Sequence, residues 1–383
     1  MNAPHLLLLN NQGLASTGGG VTILKELAAA LTAEYRVGVI SLDPPAANWP
    51  GVYQRTLPPL PVLRSGMWRF RPLQRAWHYR RYLAQVVEEP PDLAVVFDCQ
   101  FLWALRALRP RHLVYVSLSC IPRQEWFERA RSGRLATFVQ YVYLERTMVG
   151  TADLTVVSSE THAREMRRYE LLAGFQPTVL HPVMGSVAAE SRPGTDLGGK
   201  IVIATVGRLT GVKNVGAVLD LAERLGDLPC EFVIAGDGGE MGRLSAAIRN
   251  RGLSARVRML GDVRDIGGLL AKTDVLLHPS HYESFGIAVF EAMRAGIPVV
   301  CAAPGSGAMT AMHEFVADRR SGLLVDFSDI DAAERALRLL VTDSARRRAM
   351  GEEARAAAGA LLRQDYIGTF RDLLDRLGQA RDP

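Results

Sequence analysis

The amino-acid sequence predicts an α/β protein made of two successive units, each a parallel β-sheet covered by helices. Three observations support this fold class. Short apolar runs alternate with helical patterns along the whole chain, which is the order of strands joined by crossover helices. A stretch rich in Gly, Ser and Pro, "GSVAAESRPGTDLGGK" at 185–200, interrupts the alternation. The alternation then restarts, so we interpret this stretch as a linker between domains.

The first unit, residues 1–183, has five predicted strands. They are "HLLLL", "RVGVIS", "LAVVF", "HLVYVSL" and "LTVVSS". The glycine-rich loop "NQGLASTGGG" follows the first strand and leads into the predicted helix "VTILKELAAALTAEY". Such a loop also suits a dinucleotide enzyme, but it is not GxGxxG, and only Asp43 is an acidic residue placed to close the second strand. We therefore rank a nicotinamide enzyme low.

The second unit, residues 198–365, repeats the pattern. Its predicted strands are "KIVIATVG", "CEFVIAG", "VRML", "VLLHPS", "GIPVVCA" and "GLLVDF", with the helix "VGAVLDLAERL" and another near 240–251. In open α/β sheets of this kind, ligands bind beyond the carboxyl ends of the strands.

Composition limits the functional classes. The chain has no run of eighteen apolar residues, so no membrane span is predicted. The apolar start "HLLLLN" lacks the charged region and cleavage site of a signal peptide, and we interpret it as a strand. Four cysteines lie far apart with no CxxC pair, which is typical of buried thiols in a reducing cytoplasm. No grouping of His, Cys and Asp has metal-ligand spacing, so no metal and no cofactor is predicted.

The charge is unevenly distributed. Residues 1–182 contain 20 Lys and Arg against 14 Asp and Glu, a net of +6, whereas the remainder has 25 against 26, a net of −1. A basic first half and a neutral second half suggest different ligands for the two units. An ordinary solvated, arginine-rich surface would give the same count.

Two glutamates occur in "HYESFGIAVFEA", residues 281–292. Glu283 falls in a loop after a strand, and Glu291 lies inside the helix that follows. Even in one continuous helix they would be ~12 Å apart along the axis, whereas the paired carboxylates of glycosidases are ~5–9 Å apart. Two separate hydroxyls are therefore the better ligands, and the amides of Gly286 and Ile287 suit a phosphate between them. The alternative is a capping loop acid and a buried helix acid with local partners.

Two further loops follow predicted strands. "VGRLTGVKN" at 206–214 carries Arg208 and Lys213. A forked guanidinium with an ammonium is a common way to hold a diphosphate without a metal, although loop arginines and lysines are also common without any ligand. "AGDGGEM" at 235–241 is a strand-to-helix turn whose glycines let the backbone approach a nucleotide.

Together these stretches resemble a known family. "GRLTGVK", "AGDGG", "PSHYESFGIAVFEAMRAGIPVV" and "SGLLVDFSD" occur in the order and spacing of the retaining glycosyltransferases of family 4, which have the GT-B fold of two Rossmann-like domains facing each other across a cleft. The two glutamates separated by seven residues are the hallmark of that family. The resemblance covers nearly the whole second unit, and the first unit, including Glu145 and Arg146, matches more loosely. It also implies that the last segment, 366–383, packs back on the first unit.

The resemblance implies roles for individual positions. Arg208 and Lys213 would neutralise the donor diphosphate and Glu283 would hold the sugar, which makes these three the candidate catalytic residues. Glu291 would bind the ribose. The candidate donor-binding residues are Gly19, Gly20, Gly236, Asp237, Val263, Ser284, Phe285, Gly286, Ile287 and Glu291.

The chain departs from the family at one position. Many members carry a histidine after the fourth strand of the first domain, near the sugar, where this chain has Ser117 and Ser119. In the front-face mechanism attributed to the family, a donor phosphate oxygen takes the acceptor proton, so the missing histidine does not abolish the chemistry. We expect Ser117 or Ser119 to contact a hydroxyl of the donor sugar instead. His278 and His281 flank Pro279 in the loop before Glu283, with His281 the candidate to reach the cleft. A packing or solvent role suits either histidine equally well.

A basic, aromatic stretch lies at 64–83, "RSGMWRFRPLQRAWHYRRYL". It suits peripheral contact with an anionic membrane or another anionic acceptor. The alternative is a helix with a solvated arginine face and core aromatics. Nucleic-acid binding has no support from the other motifs.

The sequence thus predicts a retaining, metal-independent hexosyltransferase. Its donor would be a nucleotide sugar, a UDP-sugar first and GDP-mannose second, and its acceptor a glycan, a lipid-linked or a small-molecule hydroxyl. The second domain would bind the nucleotide and the first the acceptor. A cytoplasmic enzyme, peripheral at the inner face of the membrane, is expected. The alternatives are a non-catalytic GT-B partner module and a nucleotide-sugar epimerase or hydrolase.

Overall fold

The computed structural model describes residues 3–10, 14, 19–41, 49–57, 72–105, 108–118, 135–169, 175–183, 199–305 and 307–379. The chain forms two compact units. One consists of Met1–Pro182 together with Tyr366–Pro383, and the other of Val183–Asp365. The predicted linker lies outside the described residues except for its last two positions, Gly199 and Lys200.

The first unit is built on a parallel sheet. Its described strands are β1 (His5–Leu9), β2 (Arg36–Ser41), β3 (Val52–Thr56), β4 (Leu93–Val96), β5 (His112–Ser117), β6 (Leu154–Val157) and β7 (Thr178–Val179). They lie in the order β3-β2-β1-β4-β5-β6-β7, and every pair is parallel. The strands β1 and β4 are buried along their whole length, as expected for central strands covered on both faces.

The second unit has the same plan. Its described strands are β8 (Ile201–Val206), β9 (Cys230–Ala235), β10 (Val257–Gly261), β11 (Val275–His278), β12 (Tyr282–Glu283), β13 (Val299–Ala302), β14 (Met309–Thr310) and β15 (Gly322–Val325). Six of them form a parallel sheet in the order β10-β9-β8-β11-β13-β15, and β12 and β14 form a separate small pair.

Most of the helices lie between strands in sequence, and the last three follow β15. The described α-helices are α1 (Gly19–Ala30), α2 (Pro72–Val86), α3 (Cys99–Leu105), α4 (Leu135–Met148), α5 (Glu160–Tyr169), α6 (Val215–Arg224), α7 (Met241–Asn250), α8 (Ile266–Leu270), α9 (Ile287–Arg294), α10 (Ile330–Thr342), α11 (Ser344–Leu362) and α12 (Tyr366–Gln379). None of them is both long enough and apolar enough to span a membrane.

The last helix, α12, belongs to the first unit. Tyr366, Phe370 and Leu374 recur every four residues and are buried, so one stripe of the helix faces the protein. Arg371 anchors its exposed side to α1, since its Nε lies 2.9 Å from a carboxylate oxygen of Glu34 and its guanidinium donates to the carbonyl of Ala30. The ring of Phe370 is fully buried, so hydrophobic packing outweighs the exposed ion pair in holding the helix.

Side-chain caps set the starts of several helices in the second unit. Asp329 accepts from the backbone N–H of Ala332 at the start of α10, and Asp343 accepts from that of Arg346 at the start of α11. An aspartate in this position satisfies an N–H that has no partner inside the helix. The core below them is aliphatic with the buried ring of Phe232.

The strand orders place one switch point in each sheet. In the first unit the order reverses between β1 and β4, and in the second between β8 and β11. At such a point the loops leaving the two strands diverge and open a crevice at the carboxyl edge. The prediction of two Rossmann-like α/β units with parallel sheets is confirmed. The second of these crevices contains most of the predicted site.

Candidate functional site

The candidate site of the second unit lies at the carboxyl ends of β8 and β11. The loop after β8 supplies Gly207, Arg208 and Lys213. The end of β11 supplies His278, and Ser280 follows it. Together these residues line a concave surface. Glu283 follows a few residues later. The topology of the sheet therefore brings together groups that are about 70 positions apart in the chain, as Lys213 and Glu283 are.

The centre of the site is a network around one carboxylate oxygen. Lys213 Nζ donates a hydrogen bond to Glu283 Oε2. His278 Nε2 lies 2.8 Å from the same oxygen, and Ser280 Oγ lies 3.1 Å from His278 Nε2. His278 and Ser280 are buried, whereas Lys213 and Glu283 keep part of their surface accessible. Solvent therefore reaches the network through Lys213 and Glu283.

Short elements of backbone hold these side chains. Lys213 ends a single 3₁₀ turn, Gly211–Lys213, which stops at Asn214 with φ of +50°. Glu283 lies in β12, where its carbonyl accepts from the N–H of Ala311 at 3.0 Å beside β14. A carboxylate on a paired strand is better fixed than one on an unpaired loop. Glu283 therefore lies in a short paired strand and not in the loop that the sequence predicts.

The charges in the network are strongly coupled. Burial alone would raise the pKa of Glu283, but the charge of Lys213 and the hydrogen bond with His278 outweigh it and lower the pKa from 4.5 to about 2. Burial lowers the pKa of His278 below 6.5 against the opposing effect of Glu283. At neutral pH the site therefore holds an ionised carboxylate and a neutral imidazole.

The carboxylate determines the tautomer of the histidine. An ionised carboxylate can only accept hydrogen bonds, so His278 carries its hydrogen on Nε2, the nitrogen that faces Glu283. Among the described residues, both contacts of Glu283 go to Oε2. Its Oε1 is therefore the atom that can accept from a hydroxyl of a ligand.

Arg208 adds a second positive charge to the site. Its side chain is exposed at the carboxyl end of β8, and no carboxylate among the described residues pairs with it. Lys213, by contrast, is already paired. The site therefore presents one arginine to solvent and one lysine that an anion would have to share with Glu283.

The amino terminus of α9 lies directly after Glu283. Gly286 precedes the helix with φ of +97°, a conformation that favours glycine, and a Cβ there would approach Met312 Sδ to 3.2 Å. Ile287 begins the helix. Ser284 and Phe285 are buried, and the Phe285 ring lies 4.9 Å from that of Phe315. The backbone of this turn is thus anchored by packing while its amides point out of the helix end.

Glu291 lies one turn into α9 and is half-buried. Burial raises its pKa from 4.5 to about 7, and the nearby Arg294 only partly opposes this. A carboxyl group with a pKa near neutrality, close to the amino terminus of a helix, is a candidate ligand-binding group.

The glycines of the "AGDGG" turn also have a structural use. A Cβ on Gly236 would lie 1.8 Å from the carbonyl oxygen of Gly207, and one on Gly238 would lie 2.4 Å from that of Leu209. These glycines let the loop after β9 approach the loop after β8. A hydrogen bond joins the two loops, because the Leu209 N–H donates to the Asp237 carbonyl at 2.8 Å. The glycines therefore support the loop that carries Arg208.

The remaining donor-binding candidates are placed as follows. Asp237 is exposed, with its Oδ1 accepting from the N–H of Gly238. Val263 is half-buried just beyond β10. In the first unit, Gly19 and Gly20 begin α1, and a Cβ on Gly20 would meet Leu118 Cδ1 at 2.9 Å. Ser117 is the buried last residue of β5, and Ser119 lies outside the described residues.

Sequence reasoning missed the roles of two histidines. His278, rather than the favoured His281, contacts Glu283, and its position directly at the end of β11 was the available signal. His162 lies outside every motif described above, yet it is fully buried with Nε2 at 3.3 Å from Ser117 Oγ. No group of three or more His, Cys, Asp or Glu side chains in the described part of the chain could hold a metal ion.

The geometry defines a class of protein. Two Rossmann-like units, with cations and a helix amino terminus gathered at the switch point of the second, are the design of a protein that binds a phosphorylated nucleotide ligand.

Comparison with known proteins identifies the family. A model described as Glycosyl transferase 4-like domain matches residues 18–182, and one described as Glycosyl transferases group 1 matches residues 188–357. The chain therefore belongs to the family 4 glycosyltransferases, with the GT-B fold.

Individual relatives agree with this assignment. D-inositol 3-phosphate glycosyltransferase of Salinispora tropica is 32% identical over 268 residues, which are 62% of this chain and 53% of that protein. The chain thus spans about half the length of this relative. 2-Deoxystreptamine N-acetyl-D-glucosaminyltransferase of Streptomyces fradiae is 28% identical over 82% of this chain and 78% of its own. The structure of Anabaena HepE in complex with UDP and glucose has a TM-score of 0.75 at 18% identity, covering 97% of this chain and 99% of that one.

Proposed function

We propose that this protein transfers a hexosyl unit from a nucleotide sugar to an acceptor hydroxyl, with retention of the anomeric configuration. The observation that carries the proposal is the Lys213–Glu283–His278 network beside the exposed Arg208 and the amino terminus of α9. This arrangement offers an acceptor atom for a sugar next to a positive field for a diphosphate.

Each group has a defined task in the proposal. Arg208, Lys213 and the first amides of α9 hold the diphosphate, so the negative charge that develops on the leaving group is neutralised without a metal. Glu283 Oε1 accepts from a sugar hydroxyl while His278 keeps the carboxylate in place. Glu291 accepts from the ribose. The first unit binds the acceptor.

The chemical step then needs no protein base. The bond between the anomeric carbon and the donor phosphate oxygen breaks, and a bond to the acceptor oxygen forms on the same face of the sugar. The acceptor proton moves to an oxygen of the departing diphosphate. The balance of this step needs no oxidant or reductant and no group beyond the two substrates, and the enzyme contributes orientation and charge stabilisation.

The relatives suggest which substrates to test first. The HepE structure contains UDP and glucose, which supports a UDP-sugar as the first candidate donor, with GDP-mannose second. The two relatives described above are named for inositol phosphate and 2-deoxystreptamine, both small polyhydroxylated rings. A small cyclic polyol is therefore the first acceptor to test, before glycans and lipid-linked sugars.

The surface of α2 suits peripheral binding to an anionic membrane at the cytoplasmic face. Leu73, Trp77, Arg80 and Arg81 are exposed and recur at helical spacing, while Ala76, Tyr79 and Leu83 are buried on the other side. The Arg81 guanidinium lies 4.9 Å from the centroid of the Trp77 ring. Arginines beside exposed apolar groups are complementary to a negatively charged lipid surface. The part of the basic stretch before residue 72 lies outside the described residues.

The proposed function is tested by thermal stabilisation. The purified protein is screened against UDP-, GDP- and ADP-sugars, with NAD as a control ligand. We expect a shift with one nucleotide sugar that disappears in Arg208→Ala. The matched control is Arg249→Ala, another exposed arginine of the same unit, which should keep the shift.

The alternatives give different results. No shift with any nucleotide sugar would contradict the proposal and favour the non-catalytic partner module. Consumption of the donor at full rate without any acceptor would favour an epimerase or hydrolase, and a shift with NAD alone would indicate a nicotinamide enzyme.

A further inference from the structure

The carboxylate of Glu283 has two hydrogen-bond partners that differ in mobility. Lys213 Nζ and His278 Nε2 both contact its Oε2 atom, the histidine at 2.8 Å. The lysine side chain is 20% exposed and ends a flexible stem, whereas the histidine side chain is only 3% exposed. His278 is also the last residue of β11, where its register partner on β13 is Cys301. A ligand can therefore draw the lysine away from Glu283 but not the histidine.

The lysine lies where a bound diphosphate would compete for it. A Cβ on Gly207 would lie 3.7 Å from Lys213 Cε, so the stem of the lysine passes beside the loop that leaves β8. That loop also carries the exposed Arg208, and the concave surface of the site is lined by Arg208, Lys213 and His278. A diphosphate on this surface presents two negative charges, against one on Glu283, and so attracts the ammonium more strongly.

Loss of the lysine would leave a largely buried carboxylate without its main positive partner. Burial raises the pKa of Glu283, and the charge of Lys213 is the largest effect that lowers it. Leaving such a carboxylate unpaired is costly, so a replacement charge is strongly favoured. His278 is placed to supply that charge. Among the described residues, both hydrogen bonds of its ring use Nε2, so a second proton is taken up at Nδ1 and the contact with Glu283 is kept.

The departure of the lysine also favours protonation of the imidazole. In the free protein, burial is the main cause of the low pKa of His278, and the positive charge of Lys213 lowers that pKa further. Moving the ammonium away removes the second effect, and the diphosphate adds negative charge to the surface that His278 lines. Both changes raise the pKa of the imidazole towards neutrality.

The other groups around the imidazole do not supply this proton site. Burial raises the pKa of the Cys301 thiol far above its usual value, so the thiol stays neutral. Arg208 stays protonated like any arginine, and the hydroxyl of Ser280, 3.1 Å from His278 Nε2, does not titrate near neutrality. Glu291 in α9 has a pKa of about 7, and on accepting from the ribose it would lose a proton. Its contribution is opposite in sign, and Glu291→Gln removes it.

We propose that the diphosphate of the donor draws the Lys213 ammonium away from Glu283, and that His278 takes up a proton from solvent to replace it as the charged partner of the carboxylate. This inference rests on the proposed function. It makes His278 a positioning residue, which keeps Glu283 ionised and oriented for the sugar while Lys213 binds the diphosphate. Donor binding is then coupled to the uptake of a proton.

The test counts the protons taken up when a nucleotide sugar binds. UDP-glucose, or the nucleotide sugar with the largest thermal shift, is titrated calorimetrically into Glu291→Gln at pH 7 in two buffers of different ionisation enthalpy. The diphosphate of such a donor does not titrate between pH 6 and pH 8, so any proton exchange belongs to the protein. We expect uptake of about half a proton per ligand, and a Kd about three- to tenfold lower at pH 6 than at pH 8.

His278→Gln in the same background separates protonation from hydrogen bonding. Its amide donates towards Glu283 as the neutral imidazole does, but it cannot take up a second proton. Compared with Glu291→Gln alone, we expect a Kd within about twofold at pH 8, about three- to tenfold weaker binding at pH 6, and no proton uptake. The matched control is His313→Gln, because His313 is a half-buried histidine of the same unit, with Nδ1 at 3.0 Å from the Thr310 carbonyl oxygen. It should keep the uptake and the pH dependence.

A further measurement needs no variant. Nitrogen NMR of the wild type, labelled at its histidine rings, distinguishes neutral from protonated imidazoles. At pH 7, saturating UDP-glucose, or the nucleotide sugar chosen above, should convert one imidazole towards the protonated form. If no imidazole changes, the proposal is overturned, even where His278→Gln does not fold.

The two proposals fail in different ways. Binding without proton uptake, or uptake that survives in His278→Gln, would overturn the role of His278 and leave the transferase proposal standing. An equal loss of uptake in His313→Gln would overturn it as well. A loss of affinity in His278→Gln that is the same at pH 6 and pH 8 would show that the imidazole acts only as a neutral donor. Absence of nucleotide-sugar binding by the wild type would contradict the proposed function, and the role of His278 with it.

Discussion

At the residue scale, Glu283 combines a binding role with a pH-dependent contribution to stability. Its pKa is 4.5 in the unfolded chain and about 2 in the folded protein. A depressed folded pKa means that the stabilisation is present above pH 4.5 and is lost as the pH falls from there towards 2. The same charge that would bind a sugar therefore also anchors Lys213 and the loop that carries it.

We expect Glu283→Gln to destabilise the protein at pH 7 and to matter less in acid. The difference in unfolding free energy between wild type and variant should shrink by about 1 kcal/mol on going from pH 7 to pH 3.5, as the unfolded carboxyl becomes protonated. Transfer should fall on the order of 100-fold, because the variant loses the charged acceptor and releases Lys213. Urea titrations at both pH values and a transfer assay measure this. A pH-independent difference would contradict the coupling to Lys213.

Glu291 should behave in the opposite way. Its folded pKa of about 7 lies above the unfolded 4.5, so its contribution is fully present below pH 4.5 and is lost as the pH rises through 7. Glu291→Gln should therefore match the wild type near pH 4 and exceed its stability at pH 8, by up to about 3 kcal/mol. If Glu291 binds the ribose, UDP affinity should fall about tenfold in the same variant.

The control for Glu291 is Glu352→Gln, an exposed glutamate on α11. It should change neither the pH profile nor the UDP affinity. A Glu291 variant that is no more stable than wild type at pH 8 would show that the buried carboxyl costs nothing there, and unchanged UDP affinity would remove it from the nucleotide site.

The sequence could suggest the charged residues of the site but not the hydrogen bonds between its side chains. The apolar runs predict the strands and the helix near the site. They therefore also give the positions of the charged residues that follow the strands, Arg208, Lys213 and Glu283, and of Glu291 in the helix. The hydrogen bonds of His278 and His162 could not be predicted in this way, because they depend on which strands become neighbours. Ser117 and His162 are 45 positions apart and meet only because β5 pairs with β6.

At the element scale, the loops after β8 and β9 are held together by glycines. Gly236 has φ of +144° and no room for a Cβ against the Gly207 carbonyl. Gly236→Ala should therefore destabilise the second unit by about 2–4 kcal/mol, from backbone strain and from the displaced loop together. It should weaken nucleotide binding further than the loss of stability explains, since the displaced loop carries Arg208.

A glycine in the same turn provides the control. A Cβ on Gly239 would meet nothing within 4 Å. Gly239→Ala should leave the thermal midpoint and UDP affinity near wild type. Similar losses in both variants would mean that the turn tolerates no side chain anywhere, and the close approach to Gly207 would not be the cause.

The strands that the sequence did not predict are short or lie at an edge. β3 is an edge strand with the mixed sequence "VYQRT", which lacks an apolar run, and it pairs only with β2. The strands β12 and β14 have two residues each, too few for any periodicity. α1 ends at Ala30, before the predicted Tyr35, because the chain turns there and enters β2 at Arg36. The buried central strands, by contrast, were predicted within three residues at each end.

At the scale of the whole molecule, the positive charge is concentrated in the first half of the sequence, with a net of +6 over residues 1–182. The helix α2 has three arginines, Arg75, Arg80 and Arg81, and no acidic residue. The neighbouring helix α4 exposes Val139 and Tyr143, so the first unit has exposed apolar groups on two adjacent helices. A surface that is only solvated would explain the arginines but not the exposed apolar side chains. A surface that binds an anionic membrane would explain both.

The first unit should therefore bind anionic vesicles. We expect the protein to float with vesicles containing phosphatidylglycerol and not with pure phosphatidylcholine, and to be released as salt is raised. Arg81→Ala should lower the partition coefficient about fivefold, the equivalent of ~1 kcal/mol for one cation near the surface. Trp77→Ala removes the apolar group beneath that guanidinium and should reduce binding even at low salt.

Leu339 provides the matched control for the vesicle experiment. It is 41% exposed, comparable to Leu73 at 39%, but it lies on α10 of the second unit. If membrane contact is made by α2, Leu339→Ala keeps full vesicle binding while Leu73→Ala loses part of it. Equal losses in the two variants would indicate non-specific adsorption of exposed apolar groups. Binding to neutral vesicles, unaffected by salt, would show that the arginines serve only to keep the surface of the first unit solvated.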